Sequence, residues 1–193
     1  MADSGNSLTT KRKILATVCK DHNSLCSLLK HYLNESEPIL TFGLIPKFFK
    51  ISTDENLSAN ERKSQISNIL EKSLPQNNLQ VLAVILRHLQ HVIENRNVNK
   101  MSDEGLARSI APTLVGYSSA NPNNKELQTA HYYQRNVALV LLSLSTVGTG
   151  CVLGRALRKI EDRQKAASRS NLDKSGNGGT GTPMIMRRMF GIK

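Results

Sequence analysis

Residues 77–95 read NNLQVLAVILRHLQHVIEN. Leu79, Leu82, Leu86, Leu89 and Ile93 recur at steps of three and four, and Val81, Val84, Ile85 and Val92 widen the stripe. That period belongs to an amphipathic helix, not to the two-residue alternation of a strand, and so wide a stripe predicts the central, most buried helix of the fold. Pro75, just upstream, closes the helix before it. That earlier helix opens at Ser58, three residues ahead of Glu61, a spacing at which each side chain bonds the other's backbone N–H. Ile66, Ile69, Leu70 and Leu74 supply its buried side.

The same reading extends in both directions. Leu25, Leu28, Leu29, Tyr32 and Leu33 form another helical stripe, with Ser27, Lys30, His31 and Asn34 on the other faces. It ends near NESEP, because Pro38 biases Glu37 away from helical geometry. A short apolar segment containing Gly43 and Pro46 follows over 39–49. Downstream, Ser102 caps a helix with Asp103 and Glu104 in its first turn, where the helix dipole favours negative charge. Leu106 and Ile110 face inward ahead of Pro112. The polar loop YSSANPNNKE over 117–126 leads to a last core helix around Val137–Leu144, and a charged helix is expected from about Leu153 to Ala167. No convincing strand alternation occurs, so the expected class is an all-α helical bundle.

The chain has 193 residues, 26 Lys+Arg against 15 Asp+Glu, and a net charge of +11. Its lack of Trp, with four Phe and four Tyr, argues against a base-stacking nucleic-acid platform and a β-sandwich core. Residues 1–150 hold 16 basic and 12 acidic side chains, whereas 151–193 hold 10 and 3, so most of the excess sits at the C-terminal end. The stretch from Ser168 to Pro183 is Ser/Gly/Asn-rich and is expected to be disordered. The expected organisation is a polar segment 1–20, a helical domain 21–150 and a basic tail 151–193.

Lys11, Arg12 and Lys13 are not followed by an apolar run of signal-peptide length, so secretion is not expected. Cys19, Cys26 and Cys151 lack C-x-x-C spacing and read as reduced thiols. The uncharged run from Val137 to Leu153 is shorter than the roughly 20 residues of a membrane span and is broken by Ser, Thr and Gly, so a buried helix followed by a loop is expected.

Catalytic and metal constellations are sparse. His88 and His91 lie three apart but no third ligand joins them, so they read as exposed or semi-exposed helix histidines. Asp54/Glu55 and Asp103/Glu104 read as solvated helix-start charges. GNGGTG at 176–181 lacks the Lys-Ser/Thr of a phosphate loop and a preceding strand, and reads as a linker. RALRKIEDRQKAASR at 155–169 reads by default as a solvated helix. MIMRRMFGIK at 184–193 has the composition of a short docking or membrane-surface segment, or of a terminal tail without a role. No metal and no cofactor is expected, and no nucleic-acid partner.

Three blocks, HNSLCSLLKHYLNESEPILTF at 22–42, LPQNNLQVLAVILRHLQHV at 74–92 and NKMSDEGLARSIAPTLV at 99–115, occur in the order and approximate spacing of a RhoGAP domain. The resemblance runs from about Asp21 to about Leu144, and the pattern looks closest to the centralspindlin-type Rac GTPase-activating proteins. It implies a helical module of signal transduction that binds the GTP-bound switch surface of a Rac- or Cdc42-like GTPase and regulates that enzyme without being one. Family members supply an arginine finger in trans that accelerates hydrolysis on the order of 10³–10⁵-fold. The finger loop and the family's first core helix have no counterpart in the roughly twenty residues ahead of Leu25, so no catalytic residue is assigned and stimulation of hydrolysis stays open.

The resemblance implies GTPase-binding roles for four positions. Lys30 matches the Lys of the family's LLK; Asn34 replaces an Arg often found four residues later; Thr113 replaces the Asn of many relatives, as it does in the centralspindlin type; and Lys100 matches a position near the GTPase-facing region. The expected location is cytoplasmic, either associated with the cytoskeleton or spindle or peripheral to a membrane, with a role in cytokinesis. The alternative is a scaffold without a finger whose basic C-terminal tail contacts an anionic membrane surface or an acidic partner.

Overall fold

The computed structural model describes residues 22–175, with side chains from 24 to 168. Among the described residues there are eight helices and no strand: α1 (His22–Glu35), α2 (Ile45–Thr53), α3 (Ala59–Ser73), α4 (Gln76–Glu94), α5 (Arg96–Asn99), α6 (Asp103–Val115), α7 (Asn124–Leu142) and α8 (Val152–Ser175). The all-α expectation therefore holds. The chain divides into two compact units, one ending at Leu157 and the other beginning at Arg158.

Local chemistry sets several helix starts. Ser58 Oγ accepts from the Glu61 N–H, and a Glu61 carboxylate oxygen accepts from the Ser58 N–H at 2.8 Å, so the capping box is formed as read. Ser102 Oγ accepts from Gly105 N–H at 3.0 Å, and Asn123 Oδ1 from Glu126 N–H at 2.9 Å, satisfying N–H groups that the first turn of a helix leaves free. Pro46 stands in the first turn of α2, where its missing N–H costs nothing, so the apolar segment 39–49 becomes a turn and the start of a helix.

The core gathers the predicted stripe of α4: Leu79, Leu82, Leu86 and Leu89 are buried, while Ile93 is partly so. Phe48, Ile66, Leu70, Leu114 and Leu141 are buried around it. Phe49 stacks on Tyr133, with ring centroids 5.2 Å apart, joining α2 to α7. Val81 and Val84, read as part of the stripe, are exposed.

Several expectations change. The stripe of α1 is largely solvent-facing: Leu33 is buried, but Leu25, Leu28, Leu29 and Tyr32 are exposed. Periodicity shows that a helix has an apolar face; it does not supply a neighbour for it. α6 continues through Pro112 to Val115, because a proline this close to a helix end removes only the donor to the Arg108 carbonyl. The last core helix is longer than Val137–Leu144 and begins at Asn124, since its first turns are polar and half-exposed and so carry little periodic signal. The core also passes the boundary expected at residue 150: Val152, Leu153, Ala156 and Leu157 are buried in it. α8 runs to Ser175, so the first part of the stretch expected to be disordered from Ser168 is helical; residues 176–193, including GNGGTG and MIMRRMFGIK, lie outside the described residues. In the second unit, Arg158, Lys159, Glu161, Asp162, Arg163 and Lys165 are exposed along α8.

No described helix is long and apolar enough to cross a membrane. Cys26 and Cys151 are free thiols, and Cys19 lies outside the described residues.

Candidate functional site

The ends of α1 and α6 meet at a cleft of about 180 Å³. From the α1 side come Leu33, Asn34 and Ser36, then Pro38 and Phe42 from the following turn; from the α6 side come Pro112 and Thr113, then Gly116 and Tyr117. Asn34 and Thr113, far apart in sequence, therefore line one site. Lys30 is exposed one helical turn before Asn34, on the same face of α1. The described side chains lining the cleft are uncharged, and Lys30 is a cation one turn back along that face of α1.

The cleft is shaped by backbone that only particular residues can adopt. Gly116 ends α6 with φ 73° and ψ −163°, a region nearly closed to side-chain-bearing residues. A Cβ at Gly116 would lie 3.0 Å from both Cβ and Cγ of Pro38, so the α6 end can approach the turn after α1 only without a side chain there. On the other wall Thr41, a β-branched residue, holds φ 59° in a turn closed by its N–H donating to the Pro38 carbonyl at 2.8 Å. Asn78 Nδ2 donates to the Ile39 carbonyl at 2.9 Å and anchors that turn to α4.

Helix α7 braces the same site from behind. Gln134, fully buried, donates from Nε2 to the Gly116 carbonyl at 2.9 Å. A carboxylate oxygen of Glu126 accepts from both the N–H and the hydroxyl of Ser118, at 2.7 and 2.6 Å, fixing the loop whose Tyr117, Ser119 and Ala120 line the cleft. Arg135 pairs with Glu104 and ties α7 to α6. Sequence reasoning missed these supports. The polar residues among apolar neighbours in 130–142 were the available signal for Gln134, and the glycine after LV was the signal for Gly116.

Lys100 stands elsewhere. It terminates α5 in the left-handed region, φ 57°, with Nζ donating to the Asn97 carbonyl at 2.7 Å. It precedes α6, whereas Thr113 lies near the far end of that helix, so the rise along α6 separates them by roughly 15 Å. The structure thus unites Asn34 and Thr113, sets Lys30 beside them and leaves Lys100 at the opposite end of α6.

No group of three or more metal-ligating side chains occurs among the described residues. His88 and His91 are exposed, and His91 Nδ1 lies 3.2 Å from a Glu94 carboxylate oxygen on the next turn.

Comparison with known proteins matches the RhoGAP domain family over residues 5–119, a span that starts upstream of the described residues and ends at Ser119, in the loop that lines the cleft. Rac GTPase-activating protein 1 of Mus musculus is 34% identical over 140 residues, 71% of this chain and 21% of that protein. Rho GTPase-activating protein 92B of Drosophila melanogaster is 38% identical over 97 residues, 50% of this chain and 13% of that protein. Rho GTPase-activating protein 12 of Mus musculus is 30% identical over 129 residues, 66% of this chain and 15% of that protein. The chain spans about a fifth or less of the length of these relatives.

Proposed function

Because the chain belongs to the RhoGAP domain family, we propose that it regulates a Rho-family GTPase of the Rac or Cdc42 kind by binding its GTP-bound switch surface. One observation carries the reading: Asn34 and Thr113 line a single cleft, with Lys30 exposed a turn away. Switch segments of a GTPase lie around bound nucleotide and Mg²⁺ and order with the γ-phosphate. A cleft with amide and hydroxyl donors, and one cation at its edge, suits such a face. Lys30 supplies charge without a rigid fork, and Asn34 offers both a donor and an acceptor where an arginine would offer donors alone.

The arginine finger is a separate matter. No arginine is among the described residues that line the cleft, and the described part of the chain acts in this reading as a recognition surface, not as a donor of transition-state charge. Without a finger, hydrolysis stays near the GTPase's intrinsic rate. The test combines pull-down by GTP-loaded Rac and Cdc42 with single-turnover hydrolysis by each GTPase, with and without the chain. Binding that leaves hydrolysis within about three-fold of intrinsic is expected; a finger would give on the order of 10³-fold or more. Failure of both GTPases to bind overturns the recognition, and full acceleration overturns the finger-less reading alone.

A further inference from the structure

A second cleft, of about 360 Å³, opens where the end of α4 faces the end of α7 and the loop that follows. Ile93, Leu139 and Leu142 give it an apolar floor, and Val147, 83% exposed, forms an apolar lip. Two carboxylates, Glu94 and Asp103, belong to the same lining, and no basic side chain is among the described residues of that lining. Both acidic residues are exposed.

The backbone at this end of α7 needs nothing from a ligand. Gln90 Nε2 donates to the Leu142 carbonyl at 3.0 Å and to the Leu144 carbonyl, and Thr146 Oγ1 donates to Gln90 Oε1 at 2.6 Å. Ser143 N–H bonds the Leu139 and Val140 carbonyls, and Leu144 N–H bonds that of Leu141. An apolar group entering the cleft therefore leaves the carbonyls of Leu139, Val140, Leu141, Leu142 and Leu144 paired, which lowers the desolvation penalty that usually opposes binding beside a helix end. The polar attraction is left to the two carboxylates, which favour a cation.

We propose that this cleft docks a linear peptide segment of a partner protein that carries one large apolar side chain, Phe or Leu, flanked by Arg or Lys. The apolar side chain covers Ile93, Leu139 and Leu142, and the flanking cations meet Glu94 and Asp103. The volume sits at the low end of the range for ligand sites and suits one anchor residue with its neighbours' stems, not a folded surface. Charge complementarity identifies the occupant: an acidic segment would face the exposed carboxylates of Glu94, which has His91 beside it at 3.2 Å, and of Asp103, whereas flanking cations would pair with them. Asp103 lies at the N-terminal end of α6 and Thr113 near its other end, so a peptide here leaves the Asn34/Thr113 cleft open. The inference does not rest on the GTPase reading.

The test uses the full chain and three fluorescein-labelled nine-residue peptides in a Gly/Ser frame: one with Phe between two Arg, one with Phe between two Glu, and one with Ala between two Arg. Fluorescence anisotropy is expected to show saturable binding of the Phe/Arg peptide, at least ten-fold weaker binding of the other two, and at least ten-fold weakening by the double variant Glu94→Lys/Asp103→Lys. Val147→Ser, which removes the apolar lip without adding charge at an exposed site where folding is not at risk, is expected to weaken it as well. Circular dichroism on each variant verifies that its helices are intact. Equal binding of the Glu peptide, binding insensitive to the charge reversal in a folded variant, or no saturable binding overturns the proposal. Self-association of the chain abolished by the same charge reversal also overturns it and gives the cleft to a second copy.

Discussion

Gln134 on α7 and Gly116 at the end of α6 are joined by a 2.9 Å hydrogen bond from a fully buried side-chain amide to a main-chain carbonyl. The bond holds the cleft wall that carries Pro112 and Thr113 at a fixed distance from α7. Gln134→Ala removes both the donor and the packing volume, and about 2–3 kcal/mol of stability should be lost, read from the shift in urea midpoint at constant m. Gln134→Leu keeps most of the volume and also removes Gln134 Oε1, which has no partner, so its cost should be smaller.

Gly116→Ala should be more harmful to binding than to folding. A methyl group there meets Pro38 at 3.0 Å on a backbone with φ 73°, and strain of this kind costs on the order of 1–3 kcal/mol. Relief requires the end of α6 to move away from the turn after α1, which separates Thr113 from Asn34. Gly43→Ala is the matched control, because nothing lies within 4 Å of a Cβ at Gly43. Thermal denaturation with GTPase pull-down on both variants checks this.

The two lysines should behave differently. Lys30→Glu reverses an exposed charge beside the cleft and should weaken GTP-loaded Rac or Cdc42 binding about ten-fold, the scale of 1.4 kcal/mol, without moving the melting temperature. Lys100→Glu acts at the opposite end of α6 and should weaken binding about three-fold or less, through long-range charge. Titration at two salt concentrations separates the contributions; equal losses for both variants would contradict the placement.

Acid should loosen the start of α3 in a defined window. Hydrogen bonds from the Ser58 hydroxyl and the Ser58 N–H hold the Glu61 carboxyl below its ordinary value near 4.5. A folded-state pKa below the unfolded one means that the ionised capping box stabilises above about pH 4.5 and that this contribution fades as pH falls through the lower folded value. Ser58→Ala should therefore be less stable than the wild type at pH 6, with the gap narrowing below pH 4. Urea midpoints at both pH values give the comparison, and Glu61→Gln should show a flatter profile over the same window.

The central helix offers a test of which half of its stripe matters. Leu82 is fully buried and Val84 is 49% exposed, although both belong to the apolar pattern. Leu82→Ala should cost about 2–5 kcal/mol, and Val84→Ala less than about 1. Similar costs for the two would mean that α4 is covered on a face shown here as open.

How far the sequence carried can be judged at particular residues. The capping box at Ser58 and Glu61, the cap at Ser102 and the buried Leu79–Leu89 stripe were legible because each is decided within one or two helical turns. The apolar face of α1 was legible as a pattern and not as a burial, since Leu25, Leu28, Leu29 and Tyr32 need a neighbour that spacing cannot supply. Lys30, Asn34, Thr113 and Lys100 were reached through resemblance, which assigns positions to a function but not to a place; three of them fall at or beside one cleft and Lys100 does not.

By itself the sequence determined the helical class, the family blocks and the capped starts of α3 and α6, because backbone hydrogen bonding and apolar periodicity are local. Only the tertiary structure decided that the ends of α1 and α6 make a cleft, that Gln134 supports it through Gly116, and that a second, acid-rimmed cleft opens at the end of α7. Those depend on helix packing at close range, where a missing Cβ at Gly116 or a buried amide at Gln134 fixes a separation that no interval along the chain encodes.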